Sequence, residues 1–207
     1  MPALVLGEVY PTSSHSYESY GFEPQMQVIV DCEYTFEEAI AGSGAPSFIL
    51  NALELITVTY YSMDQQLHQG QILIHHELVE EVRQLFFHLR EQRFPIEKVI
   101  PIVAYNWDDR ASMADNNTSG FNYRVITNGS QLSMHAFGRA IDINPRLNPY
   151  IHGQNILPEN GAYDPSIPGT ITEDNEWVQL LCDHGWSWGG HWRSLKDYQH
   201  FEKRLSP

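Results

Sequence analysis

Residues 133–144 read Ser133-Met134-His135-Ala136-Phe137-Gly138-Arg139-Ala140-Ile141-Asp142-Ile143-Asn144. Ala140–Ile143 alternates about Asp142 and otherwise has the character of a core strand. A carboxylate in such a strand is costly unless a cation or hydrogen-bond donors meet it. His135 stands seven residues earlier, and Gly138 lets the chain bend between the two. A loop-then-strand path would bring imidazole and carboxylate to one point. Spacing alone leaves two outcomes open: a buried Asp bonded to a structural His, or the start of a metal site.

A second dense block lies downstream. It runs Trp186-Ser187-Trp188-Gly189-Gly190-His191-Trp192, then Asp197-Tyr198-Gln199-His200-Phe201-Glu202. His200 is a third donor candidate. Asp197 precedes it by three residues, so one helical turn would put both on the same side. Two imidazoles and one carboxylate leave an open position on tetrahedral zinc, as catalytic zinc sites do. A nearby extra carboxylate is then free to act as general base on the bound water. A closed structural site would want a fourth protein ligand, usually Cys, and neither Cys32 nor Cys182 sits by these blocks. His191 reads as a surface histidine or one neighbouring the ligands.

Together the blocks resemble the zinc D-alanyl-D-alanine carboxypeptidase family, which includes VanY-type carboxypeptidases, vancomycin-resistance D,D-dipeptidases and several phage endolysins. The family pattern is S-x-H-x-x-G-x-A-x-D, then W-G-G-x-W, then D/E-x-x-H. Here it reads Ser133, His135, Gly138, Ala140 and Asp142, then Trp188-Gly189-Gly190-His191-Trp192, then Asp197 and His200. The resemblance covers about residues 71–202. It implies that His135, Asp142 and His200 bind zinc and that Asp197 is the general base. The family Arg of a Tyr-Arg pair falls on Tyr123-Arg124, with the implied role of stabilising the oxyanion; Arg139 is the less favoured alternative. Ser133 is implied to touch substrate or hold its loop. Trp188 and Trp192 are implied pocket wall, plain core packing being the simpler reading for at least one of them.

The implied substrate is the stem peptide of peptidoglycan, cut at D-Ala-D-Ala or close to it. An L-Ala-D-Glu-type endopeptidase is the nearest alternative, and a non-catalytic zinc-bound binding domain the alternative from another class. Asp197 and Arg124, needed only for chemistry, speak against the latter. The implied fold is α+β: a small, mainly antiparallel sheet with packed helices, of the Hedgehog/D,D-peptidase type. A wall substrate implies the cell envelope or secretion, with a cytoplasmic place left open, and a monomer is the expected state. The segments 106–119 and 144–150 are long, flank the pocket in sequence, and are expected to shape its mouth.

Composition fits one globular domain. The chain has 207 residues, enough for one domain with a real core. Against 12 Lys+Arg stand 26 Asp+Glu, a net charge of −14, which argues against nucleic acid and anionic membranes as partners. The 10 histidines suit metal binding. No apolar run is long enough to span a membrane. Met1–Gly7 has no basic leader and does not read as a secretory signal. For the two cysteines, one disulfide and two buried thiols are both open, buried thiols being the simpler reading.

Residues 1–45 read as an irregular N-terminal segment and 46–207 as the peptidase domain. Within the first, Met26–Val30 is a strand candidate and Thr35–Ile40 a helix capped by Thr35 with Glu38 three residues on. A short helix is expected at Ser47–Leu53, then a hairpin of Leu55–Tyr61 with Gln71–Ile74 about a turn at Asp64–Gly70. Glu77–Arg93 has the clearest amphipathic period, with Leu78, Val82, Leu85, Phe86 and Leu89 on one face. Val99–Tyr105, Asn122–Ile126 and Ala140–Ile143 are strand candidates, and Asn106–Ser119 a polar loop. Asn144–Thr170 reads as irregular, followed by a helix from Thr172 to about His184. Asn117-Thr118-Ser119 fits a glycosylation acceptor, taken as coincidence.

Overall fold

The computed structural model describes residues 27–126 and 129–205. In chain order the elements are β1 (Ile29–Val30), α1 (Phe36–Ile40), α2 (Ser47–Leu50), β2 (Leu53–Tyr61), β3 (Leu67–His75), α3 (Val79–Glu91), β4 (Lys98–Val99), α4 (Asp109–Ala114), β5 (Asn117–Thr118), β6 (Ala140–Asp142), β7 (Tyr150–His152), β8 (Asn155–Leu157), α5 (Glu176–Asp183), β9 (Trp186–Trp188), β10 (Lys196–Asp197) and β11 (His200–Lys203). The class is mixed α+β. Where one mainly antiparallel sheet was expected, the strands divide among three small sheets and a two-stranded ladder, ordered β1-β3-β2, β10-β7-β8, β6-β11-β9 and β4-β5. β1 and β4 pair in parallel with β3 and β5, so the pairing is not purely antiparallel.

The β2–β3 hairpin is the longest ladder. Its register runs from Leu53 opposite His75 to Tyr61 opposite Leu67. Gly70 therefore lies inside β3 rather than in the turn; a Cβ there would collide with the Val99 carbonyl. α3 lays Val82, Leu85, Phe86 and Leu89 on one face of this hairpin, as its period predicts. The same core continues into Trp177 and Leu181 of α5, Ile141 of β6 and Phe201 of β11. Glu81 of α3 clips the β6-β11-β9 sheet to this core, accepting from Lys203 Nζ at 2.7 Å and Trp186 Nε1 at 2.6 Å. The opposite face of the hairpin takes Ala39 of α1, Ile49 of α2 and Phe121. The capping box expected for α1 is present, with Glu38 N–H donating to Thr35 Oγ1 and Thr35 N–H to Glu38. Of the strand expected at Met26–Val30, only Ile29–Val30 pairs, and Met26 lies outside the described residues.

Several expectations are corrected. Only Lys98–Val99 of the strand expected at Val99–Tyr105 pairs; after Pro101 the chain winds into a 3₁₀ turn, Ile102–Tyr105, closed by Asn106 at φ 52°. The polar loop 106–119 contains α4, capped by Asp108, whose carboxylate accepts from Arg110 N–H and Ala111 N–H. Asn122–Ile126 is not a strand; it makes a single bridge, Val125 to Leu132. The helix expected from Thr172 starts later, at Glu176, and ends as expected before Gly185 at φ 86°. Within 144–170, β7 and β8 form a short hairpin. Asn117 is 1% exposed and its amide donates to Ile100 O and Ser112 Oγ, so it offers no acceptor for glycosylation. Both cysteines are free thiols, each half-buried. Among the described residues, no helix is long and apolar enough to cross a membrane.

Candidate metal centre

His200 on β11 stands directly opposite Asp142 on β6 in the antiparallel register. Cross-strand partners of this kind hold their Cβ atoms about 5 Å apart, so imidazole and carboxylate meet without backbone distortion. His135 arrives from a 3₁₀ turn, Met134–Phe137. Ser133 caps that turn, its Oγ accepting from His135 N–H at 3.3 Å. Gly138, at φ 63°, turns the chain from it into β6; a Cβ there would come 2.8 Å from the His75 nitrogen. The loop-then-strand path read from residues 133–144 is thus realised.

The three side chains are buried, at 1%, 4% and 7% exposure for His135, Asp142 and His200. Asp142 Oδ2 lies 3.1 Å from His135 Nε2, and Asp142 Oδ1 lies 3.0 Å from His200 Nδ1. His135 Nε2 and His200 Nδ1 are 3.2 Å apart. Around a tetrahedral zinc with bonds of about 2.0–2.1 Å, donor atoms stand about 3.3 Å apart, which is this spacing.

The outer hydrogen bonds set which ring nitrogens face inward. His135 Nδ1 is 2.5 Å from the Gly120 carbonyl, an acceptor only, so Nδ1 carries the proton and Nε2 presents its lone pair. His200 Nε2 is 3.2 Å from Glu202 Oε2, so a proton kept on Nε2 leaves Nδ1 as the nitrogen that can ligate a cation. Such a donor set calls for a positive charge at its centre. In the absence of a cation a proton supplies it: burial opposes charge on His200, yet the bonds to Asp142 and Glu202 push its pKa up to about 10. Burial likewise opposes charge on Asp142, yet the two histidines hold it far below the usual carboxylate range. The donor set therefore fits a divalent cation.

Asp197 and Arg124 line the same cavity as these three, a cleft of about 400 Å³. Asp197 ends β10, not a helix as the three-residue spacing suggested; a tight turn brings it and His200 to one cleft. Its Oδ1 accepts from Gln199 Nε2 at 3.1 Å. Burial raises its pKa to about 6, His200 opposing and Asp142 adding to the rise. The two glycines of the Trp-Gly-Gly motif are steric necessities. A Cβ on Gly189 would come 2.8 Å from the Asp197 Cβ, and one on Gly190 would enter the Trp188 ring.

The aromatic pair splits. Trp192 lines the cleft, its ring centroid 5.5 Å from that of His200. Trp188 is 2% exposed, stacks on Phe201 and donates from Nε1 to Tyr198 O, so it belongs to the core and not to the cleft wall. Ser133 lines the cleft while serving as the cap of the His135 turn. Arg139 lies over the Phe137 ring and is not among the cleft residues. His191 is exposed beside Glu173. Sequence reasoning missed Gly120, Gln199, Glu202 and Asp109. Gly120 acts through its carbonyl, which no side chain announces; Glu202 and Gln199 flank His200 and were legible as neighbours only.

Residues 127–203 match a family model described as D-alanyl-D-alanine carboxypeptidase. The match spans a little over a third of the chain and takes in all three candidate ligands and Asp197. It supports the VanY-type zinc carboxypeptidase family that the motifs resemble, and with it a metallopeptidase. No curated protein and no solved structure matches the chain.

Proposed function

We propose that this chain is a zinc-dependent hydrolase of peptidoglycan stem peptides, of the D-Ala-D-Ala carboxypeptidase type and of the Hedgehog/D,D-peptidase fold. The observation that carries the proposal is the convergence of His135, Asp142 and His200, with donor atoms within 4.8 Å of one another, in a cleft that also holds Asp197 and Arg124. Zinc at these donors would supply Lewis acidity and bring a bound water toward a pKa of about 7.

The chain's own residues then divide the work. Asp197 takes a proton from the attacking water and passes it to the leaving amine nitrogen. Its raised pKa favours both halves of that transfer, since a base near pH 6 is not too weak to accept and is still able to donate. Arg124 donates to the carbonyl oxygen as it gains charge, a contribution of about 3 kcal/mol for a single well-placed donor. Trp192 and Tyr150 wall the cleft and limit water around the reacting bond. A wall substrate puts the protein at the cell envelope or outside the cell, and it works as a monomer whose peptidase domain, residues 46–207, is joined by β1 and α1 of the preceding segment.

The test is hydrolysis of an N-acylated peptide ending in D-Ala-D-Ala, with and without a chelator. Release of D-Ala that stops on chelation and returns with zinc supports the proposal. Cleavage of an L-Ala-D-Glu bond in its place moves the assignment to the endopeptidase, and tight zinc binding with no cleavage of either peptide moves it to a binding domain.

A further inference from the structure

We propose that Asp109 is a positioning residue for Arg124, fixing the guanidinium at the wall of the cleft; this rests on the role given to Arg124 above. Arg124 Nε is 2.9 Å from Asp109 Oδ1, as an ion pair rather than an aligned hydrogen bond, and each side chain is only 24% exposed. An arginine offers five N–H donors in a rigid fork. Pairing at the Nε edge leaves the terminal nitrogens, and among the described residues Nη1 has only the distant Val125 carbonyl, at 3.4 Å. The outward end of the fork is therefore left for a substrate oxygen.

Asp109 is itself held. It sits in the first turn of α4, and its Oδ1 also accepts from Asn122 Nδ2 at 3.1 Å. Asn122 is buried, and its backbone N–H donates to the His135 carbonyl at 3.1 Å. One line of contacts thus joins the guanidinium, the α4 carboxylate, the Asn122 amide and the turn that carries a candidate metal ligand. Met113, one turn further along α4, is buried and lines the same cleft. α4 lies in the segment read from sequence as a polar loop at the mouth, outside the residues that match the family model. The structure gives that segment a specific task. It holds one cationic group of the cleft, Arg124, in place relative to the metal donors.

The experiment compares D109N, D109E, R124A and the D109N/R124A double variant in the full chain loaded with one equivalent of zinc. The substrate is an N-acylated peptide ending in D-Ala-D-Ala. Misplacing a catalytic group by about 1 Å costs on the order of 100-fold in rate, so D109N is expected to lower kcat roughly 10- to 100-fold with KM within about threefold. Zinc content and melting temperature stay at wild-type values. D109E keeps the charge but moves it, and is expected to lower kcat by roughly fivefold or more. The double variant is no slower than R124A alone, because Asp109 acts only through the arginine; a merely structural role would make the two losses multiply.

Wild-type kcat in D109N, or multiplying losses, overturns the proposal while leaving Arg124 its role. Wild-type kcat in R124A removes that role, and a wild type that cleaves no peptide removes the functional reading; in either case the proposal falls with it. Should D109N not fold, D109E decides, and wild-type kcat there overturns the proposal.

Discussion

Removing the Glu202 carboxylate should weaken metal binding without touching a ligand. Glu202 Oε2 lies 3.2 Å from His200 Nε2 and favours the proton there, so that Nδ1 is the nitrogen left for a cation once its own proton has gone. In Glu202→Ala the neutral imidazole is free to keep its one proton on Nδ1, bonded to the Asp142 carboxylate. The tautomer that can ligate through Nδ1 is then no longer the favoured one, and metal binding weakens. Outer-shell carboxylates on metal-bound histidines are worth about 10- to 100-fold in affinity. That corresponds to about 1.4–2.7 kcal/mol. The alanine variant removes charge and acceptor together and belongs near the upper end. Glu202→Gln keeps an acceptor oxygen and loses only the charge, so about tenfold is expected. The assay is competition for zinc against a chromophoric chelator near neutral pH, with the melting temperature of the metal-free chain as control. At fixed free zinc above both dissociation constants, the metal-induced stabilisation should fall by about 1.4 kcal/mol per tenfold loss of affinity. A dissociation constant within twofold of wild type in both variants would refute the tautomer argument.

Three further outcomes follow from the site. Asp197→Ala should keep full zinc occupancy and lose turnover, read by elemental analysis beside peptide hydrolysis; retained turnover would remove Asp197 as the base. In the metal-free chain Asp197 should titrate near pH 6, protonated below and ionised above, because burial raises its pKa, with His200 and His135 opposing the rise and Asp142 adding to it; carboxyl NMR reads this. Titration near pH 4 in the metal-free chain would mean that Asp197 is not held in this environment. Gly189→Ala should destabilise the fold by about 1–3 kcal/mol through overpacking and lower kcat, since its Cβ would press on Asp197 at 2.8 Å. A wild-type melting temperature with wild-type kcat would contradict that close approach.

The elements with many repeats of one pattern were the legible ones. α3 shows its apolar face over 13 residues, and the β2–β3 hairpin is rich in β-branched and aromatic side chains. Residues 133–144 carried the site because a charged residue in an apolar strand demands a partner, and the partner was within reach. Short apolar runs misled. Val99–Tyr105 looks like a buried strand, but its apolar period does not separate a strand from a 3₁₀ turn, and Pro101 tips it to the latter. The spacing of Asp197 and His200 fits a helix equally well; pairing of β10 with β7, and of β11 with β6 and β9, places them on strands instead, and β6 and β7 are tens of residues away in sequence. α4 has a local signal in its sequence, Asp108 as a helix cap four residues ahead of Ser112 and five ahead of Met113, both buried. The hydrogen bond from His135 to the Gly120 carbonyl left none, because it depends on where a backbone passes.

The account turns on three donors sharing one cation with a position left open. X-ray absorption at the zinc edge, on protein of known zinc content, tests this most directly. The prediction is one zinc per chain with two imidazole nitrogens and one carboxylate oxygen at about 2.0–2.1 Å, a fourth light atom from solvent, and loss of the metal in His135→Ala. A sulfur neighbour, a fourth protein donor, or undiminished zinc in His135→Ala would contradict it.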